Sequence, residues 1–281
     1  MKTDIYHRFM ERNVVEKIII LTILIFIFTY LFNTLSFLFN ADANLIVEWF
    51  SLKPSFELLL YRPWTIITYG FLHIGFFHIL FNLMILYYFG NLFLDFFDSK
   101  QFLTYYLLGI FSGGLIYMLS YNYLPALQTQ QTLLVGASAG VTAIVVGIAS
   151  YIPNYSLNFR FIGSIKLVYI AIAMVILDVV QIPTGNAGGH LAHLGGALIG
   201  FLLTRYMNKG SLIIAIWNGL WSTSKKTPLK TVYKNRKSEV TSTSFNFDQK
   251  KIDSILDKIS KSGYDTLTKE EKDYLFKAGK N

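Results

Sequence analysis

The sequence predicts an all-α membrane protein: six transmembrane helices in one bundle, followed by a small cytoplasmic helical hairpin. Three observations carry this. The chain of 281 residues is 53% hydrophobic and only 15% charged, with a mean hydropathy of +0.44, whereas soluble domains carry roughly 25% charged residues. Six segments approach the roughly 20 apolar residues that cross a bilayer. The net charge of +8 is also unevenly placed: residues 1–206 hold 10 Lys/Arg against 9 Asp/Glu, and residues 207–281 hold 15 against 8. An apolar body is thus followed by a basic tail, and the charge reads as a topological marker rather than a nucleic-acid footprint. With no cysteine in the chain, a disulfide framework, a thiolate metal site and a cysteine nucleophile are all excluded.

The expected spans are 17–39, 66–94, 101–123, 133–152, 162–181 and 187–208, with only part of the long second segment in hydrocarbon. Residues 1–16 form a polar N-terminal tail. The apolar run behind it is too long for a signal peptide and lacks a small-residue cleavage site, so it reads as a retained first span. Lys2, Arg8, Arg12, Lys17, Lys100, Arg160, Lys166 and Arg205 fall on one side of the expected membrane, against Lys53 and Arg62 on the other. By the positive-inside rule both termini are cytoplasmic, as an even number of spans requires. The chain is expected to be an integral multi-pass membrane protein.

Four of the five histidines lie in two of these segments, His73 and His78 in the second, His190 and His193 in the sixth. Ionisable groups at membrane depth are costly and mark pathways or sites. If the fourth span starts near Leu133, Ser138 lies about 8 Å below its outer end at 1.5 Å per residue. His193, six residues past Ala187, falls at a similar depth. Segments distant in sequence thus bring a hydroxyl, imidazoles and the Asn82 amide into one layer. Ser138 sits in Gly136-Ala137-Ser138-Ala139-Gly140, a G-x-S-x-G pattern that clears side chains from around a nucleophile. Small residues also pack membrane helices closely, and Gly136, Gly140, Ala143 and Gly147 form a stripe matched by Ala192, Gly196 and Gly200.

A serine hydroxyl needs a base to take its proton. His193 is the best placed, while His190 is expected to be a supporting or water-facing residue. Asp178 is the only acid within a span. It is not expected to complete a triad, so a Ser–His dyad is the economical arrangement, with Asp178 structural or gating. His78 and Asn82, four apart on one helical face, are candidates for an oxyanion hole, joined by the Ser138 backbone N–H at the favourable end of the helix dipole. His73, about 500° round a continuous helix from His78, is expected off that face and structural. No metal or cofactor is needed.

At these residues the chain resembles the rhomboid family of intramembrane serine proteases. The matching motifs are Gly-Ala-Ser-Ala-Gly at 136–140, Ala192-His193-Leu194-Gly195-Gly196 with Gly200, Phe71-Leu72-His73 with His78 and Asn82, and Arg62-Pro63-Trp64-Thr65 before the second span. The resemblance implies a six-helix bundle over residues 17–208 whose short fourth span begins below an outward-open, water-filled cavity. It implies Ser138 as nucleophile, His193 as general base, and His78 and Asn82 lining the oxyanion hole. It also implies an intramembrane endopeptidase acting on transmembrane segments of other proteins near their outer ends. Gly136, His73 and His190 stand as candidate supports around these groups. The amphipathic loop 40–61, with Leu45, Ile46, Trp49, Phe50 and Leu52, would match the family's membrane-edge loop. Loss of Ser138 or His193 would instead suit a catalytically dead binding or trafficking factor, and both are present. A channel would place polar groups at several depths rather than one.

Residues 209–247 read as an interfacial stretch, with Trp217 and Trp221 among apolar residues, then a basic Ser/Thr-rich linker suited to anionic headgroups. Residues 248–281 read as the helical hairpin. Ile252, Ile255, Leu256 and Ile259 follow one helical face, Gly263 suits a C-cap, and Thr268 with Glu271 forms a capping box. This segment loosely resembles a module carried by some bacterial rhomboid-like proteins, a resemblance that implies the bacterial inner membrane as the location. Its expected role is to dock an unknown cytoplasmic partner. The expected partners of the whole chain are the bilayer and transmembrane substrates, with no nucleic acid.

Overall fold

A computed structural model of the chain describes residues 11–42, 44–130, 132–160, 163–206 and 248–278. The first ten residues, with Lys2 and Arg8, and the expected interfacial stretch and linker lie outside them. The chain divides into two units, Met1–Ser224 and Lys225–Asn281.

The first unit is a helical bundle. Among the described residues its helices are α1 (Val14–Leu38), two short helices α2 (Leu45–Phe50) and α3 (Phe56–Tyr61), the single turn α4 (Thr65–Thr68) continued by a 3-10 turn at Tyr69–Phe71, α5 (Phe76–Leu94), α6 (Ser99–Tyr123), α7 (Ser138–Tyr151), α8 (Leu167–Gln181) and α9 (Ala187–Tyr206). Among the described residues α1, α5, α6, α8 with its following 3-10 turn, and α9 are long and apolar enough to cross a membrane, and α7 is a shorter apolar helix of 14 residues. Between α7 and α8 a small antiparallel hairpin pairs β1 (Ser156–Phe159) with β2 (Gly163–Lys166), Leu157 opposite Ile165. This hairpin is the departure from an all-helical reading, and it takes the residues with which a fifth span starting at 162 would have begun.

Two breaks correct the expected spans, and both occur where a glycine takes a backbone conformation barred to other residues. Gly75 at φ +94 separates the turn at Tyr69–Phe71 from α5, so His73 lies outside any helix and no helical angle relates it to His78. Gly136 at φ +121 stops a helix from forming over 133–137. Ser138 is therefore the first residue of α7, not one turn and more inside it. Leu134 instead pairs with Leu52 in an isolated antiparallel bridge, N–H to O in both directions at 3.1 and 2.8 Å. The apolar composition continues through both breaks, which is why hydropathy alone joined them to their helices.

α7 forms the centre. Every residue from Ala139 to Ala149 is buried. Without a hydrophobic drive between helices in lipid, close approach of small residues supplies the contact. A Cβ on Gly196 would lie 2.1 Å from the Ala139 carbonyl oxygen, and one on Gly200 would lie 2.4 Å from that of Ala143. The two stripes do not meet residue for residue, however. Ala139 and Ala143 face α9, while Gly140 and Gly147 make room for the rings of Tyr106 and Tyr105. At the other end of α9, the Thr204 hydroxyl lies 3.1 and 3.0 Å from the carbonyl oxygens of Gly147 and Gly200 and 3.1 Å from the Tyr105 hydroxyl.

The loop before α4 is fastened by the Arg-Pro-Trp-Thr motif. The Arg62 guanidinium lies 4.1 Å from the Trp49 ring centroid and donates to the Glu48 carbonyl, and Trp64 Nε1 donates to the Trp49 carbonyl. Trp49 and Phe50 remain exposed beside it.

In the second unit α10 (Gln249–Ser262) and α11 (Lys269–Ala278) form a helical hairpin. Gly263 closes α10 at φ +83. Thr268 and Glu271 exchange the two capping hydrogen bonds at 2.9 and 3.3 Å. Ile255 and Leu267 are its buried apolar residues, and Lys258 donates to Glu271 across the hairpin.

Candidate active site

Three helices, α5, α7 and α9, begin at the same end of the bundle, and α8 finishes there. His78 is two residues into α5, Ser138 opens α7, and His190 and His193 occupy the first two turns of α9. The backbone contact between Gly196 and Ala139 sets α9 against the first turn of α7, one residue beyond Ser138.

The segment leading to Ser138 is held from three sides. The Gly136 N–H donates to the Tyr69 carbonyl at 3.0 Å. The Ala137 N–H donates to His73 Nε2 at 3.3 Å. Leu134 is held by the bridge to Leu52. His73 is buried, and its ring meets the His78 ring edge-on with centroids 4.9 Å apart. The structural part expected of His73 is thus specific: it anchors the residue before Ser138.

The His78 ring lies over Gly136. A Cβ there would fall 2.7 Å from His78 Nε2 and 3.8 Å from Ser138 Oγ, so both atoms border the space that the missing side chain leaves. Asn82 is buried one turn further along α5, and its Nδ2 donates to the His78 carbonyl at 2.9 Å. An amide nitrogen carries two hydrogens, so one donor remains beyond that bond. As the first residue of α7, Ser138 has a backbone N–H with no intrahelical acceptor.

The arrangement around His193 overturns the expectation that no carboxylate stands in a third position. Asp178 Oδ1 lies 2.7 Å from His193 Nδ1 and 2.9 Å from His190 Nδ1. An ionised carboxylate only accepts hydrogen bonds, so both Nδ1 atoms are the donors. This fixes the His193 tautomer with its proton on Nδ1 and leaves Nε2 as the basic nitrogen. The physical reason lies in the connection. α8 and α9 run antiparallel about the short turn 182–186, so residues equally far from it stand level. Asp178 is four residues before that turn and His190 four after it. Counting outward from Pro183 and Gly185 would have paired them. Reading each span separately could not.

A bundle of apolar helices that gathers a serine, an Asp-held histidine and further hydrogen-bond donors at one end defines a membrane-protein class with a polar centre set into its span layer. A family model for the rhomboid domain matches residues 61–210, and the chain belongs to the rhomboid family. A relative, RHOMBOID-like protein 12, mitochondrial, of Arabidopsis thaliana, is 27% identical over 211 residues, covering 71% of this chain. The chain spans 60% of that relative's length. Residues 246–279 match a second model, a family of unknown function (DUF6576).

Proposed function

We propose that the chain is an intramembrane serine endopeptidase, with Ser138 as nucleophile and His193 as general base, acting on transmembrane segments of other proteins near their outer ends. The observation that carries this is the 2.7 Å contact of Asp178 with His193 Nδ1, because it orients the base and leaves Nε2 to act on the serine. The Ser138 hydroxyl attacks the scissile carbonyl carbon as His193 Nε2 takes its proton. The developing oxyanion accepts from the Ser138 N–H, the His78 ring and the remaining Asn82 donor. His193 then protonates the leaving amine, and a water activated by the same nitrogen hydrolyses the acyl-enzyme. Asp178 acts as a positioning residue that stabilises the imidazolium, as in a Ser–His–Asp arrangement, in place of the dyad expected from sequence. His73 and Gly136 shape the segment before Ser138. The mechanism uses no metal or cofactor.

In this reading residues 17–208 are the protease domain. Residues 209–247 link it to the hairpin at 248–281, which docks a cytoplasmic partner. The positive-inside count supports cytoplasmic termini, and the bacterial inner membrane remains the proposed location. Labelling with a serine-reactive fluorophosphonate tests the chemistry. Wild type is expected to label and to cleave a model transmembrane substrate, while Ser138→Ala does neither and His193→Ala loses about 10²–10⁴-fold, the usual worth of a general base. Cleavage by Ser138→Ala, or a folded wild type that never labels, would leave a non-catalytic rhomboid-like protein as the reading.

A further inference from the structure

His190 is the group that the proposed reaction does not use. One imidazole on Asp178 suffices to orient a base, yet the carboxylate holds two, from residues three apart on α9. The three donor atoms lie within 4.8 Å of one another. Their side chains are 10% exposed for Asp178, 14% for His190 and 23% for His193, so the cluster is sheltered without being fully enclosed.

We infer that Asp178, His190 and His193 form a binding site for a zinc ion whose occupancy switches the catalytic base off. Two imidazoles and a carboxylate with one position left for water are a common zinc donor set, and bonds of about 2.0–2.1 Å in a tetrahedral site put ligand atoms about 3.3 Å apart. The Asp178 oxygen now stands 2.7 and 2.9 Å from the two nitrogens, and the three atoms extend up to 4.8 Å. Admitting the ion at this spacing therefore opens the cluster by about half an ångström at those two pairs and draws the two nitrogens together. Pairs of ligands at i and i+3 on a bundle helix, completed from neighbouring helices, are an established way to hold metals.

The consequence for His193 follows from its tautomer. Zinc takes the Nδ1 lone pair, which the neutral ring can offer only if its proton sits on Nε2. No proton need leave the protein. It moves from Nδ1 to Nε2 by way of water, and the nitrogen that would accept the serine proton becomes an N–H donor. The same ion also removes Asp178 from its orienting bond. Binding rests on the geometry alone, whereas the effect on turnover rests on the protease reading above.

Calorimetric titration of the full-length protein in detergent micelles with ZnCl₂, in chelator-free buffer, tests the site directly. One zinc per chain is expected for wild type, and His190→Ala and Asp178→Asn should each weaken binding at least tenfold. Cobalt(II) in place of zinc should give the visible absorption of a tetrahedral site in wild type and not in His190→Ala. In cleavage assays zinc should suppress wild type at least tenfold, EDTA should restore it, and His190→Ala should require at least tenfold more zinc for the same fractional loss of its own metal-free rate. No stoichiometric uptake, or uptake that survives both substitutions, overturns the inference and leaves the protease reading standing. Stoichiometric binding lost in both variants, in a protein that never cleaves, establishes the site and overturns the protease reading instead.

Discussion

The two helices that flank the candidate base are packed in opposite ways. α7, which carries Ser138, buries eleven consecutive residues and touches α9 backbone to backbone at Ala139 and Gly196. α8, which carries Asp178, buries only Leu167, Ala171 and that aspartate, and leaves Ile176 and Val180 more than half exposed. In lipid, exposed apolar side chains are not destabilising, so α8 needs no tight seam. The bundle therefore sets the proposed nucleophile, Ser138, on a tightly packed element, and Asp178, the acid proposed to orient the base, on a loosely packed one. Stability and catalytic orientation should then separate by helix.

The largest expected effect tests the α8 side of this contrast. Asp178→Asn preserves shape but removes the carboxylate that selects the His193 tautomer, so turnover should fall about 10³–10⁴-fold, comparable to the loss of the corresponding acid in a serine protease triad. Thermal unfolding in micelles should hardly change. If the melting temperature falls as far as for a seam variant, the contact is structural and the separation fails.

Asn82→Ala comes next. Removal of one oxyanion donor costs about 10²–10³-fold in kcat, and the remaining Nδ2 hydrogen is the donor at stake. KM and thermal stability should be nearly unchanged. Activity and stability falling in parallel would mean that the bond to the His78 carbonyl is the residue's whole contribution.

Gly196→Val tests the α7 side. Its new Cβ would meet backbone rather than a movable side chain, so the helices must separate. Overpacking of this kind costs about 1–3 kcal/mol, seen as a lower melting temperature. Ile176→Ala on the exposed face of α8 is the matched control and should leave that temperature unchanged.

How much of this was legible in the sequence depended on whether local composition or spatial pairing carried the information. The spans were legible because apolar length is a local property, and the ends of α6 and α9 fall close to the expected 101–123 and 187–208. The expected layer counted Ser138 five residues into its span, whereas α7 begins at Ser138 itself. What brings Ser138, His78 and His193 to one end of the bundle is the shared direction of α5, α7 and α9 rather than that depth count. The breaks at Gly75 and Gly136 were not legible, since apolar residues run straight through them while the backbone turns. The hairpin β1–β2 was hidden at the margin between a loop and an apolar run. Asp178 was missed for a different reason: its meaning lies in its distance from the α8–α9 turn, not in its own neighbours.

The smallest effect examines the far end of the seam. Thr204 joins α9 to α7 and α6 through contacts of 3.0–3.1 Å with Gly200, Gly147 and Tyr105. Side-chain hydrogen bonds between membrane helices average about 0.6 kcal/mol. Thr204→Val keeps the branched shape and removes the hydroxyl, so its melting temperature should drop slightly, well short of Gly196→Val. Because Thr204 lies three turns along α9 from His193, fluorophosphonate labelling of Ser138 should be unaffected. A labelling rate that falls in Thr204→Val while stability holds would mean that the seam transmits its far-end geometry to the nucleophile, and the tightly packed element would then be as much a part of catalysis as the acid on α8.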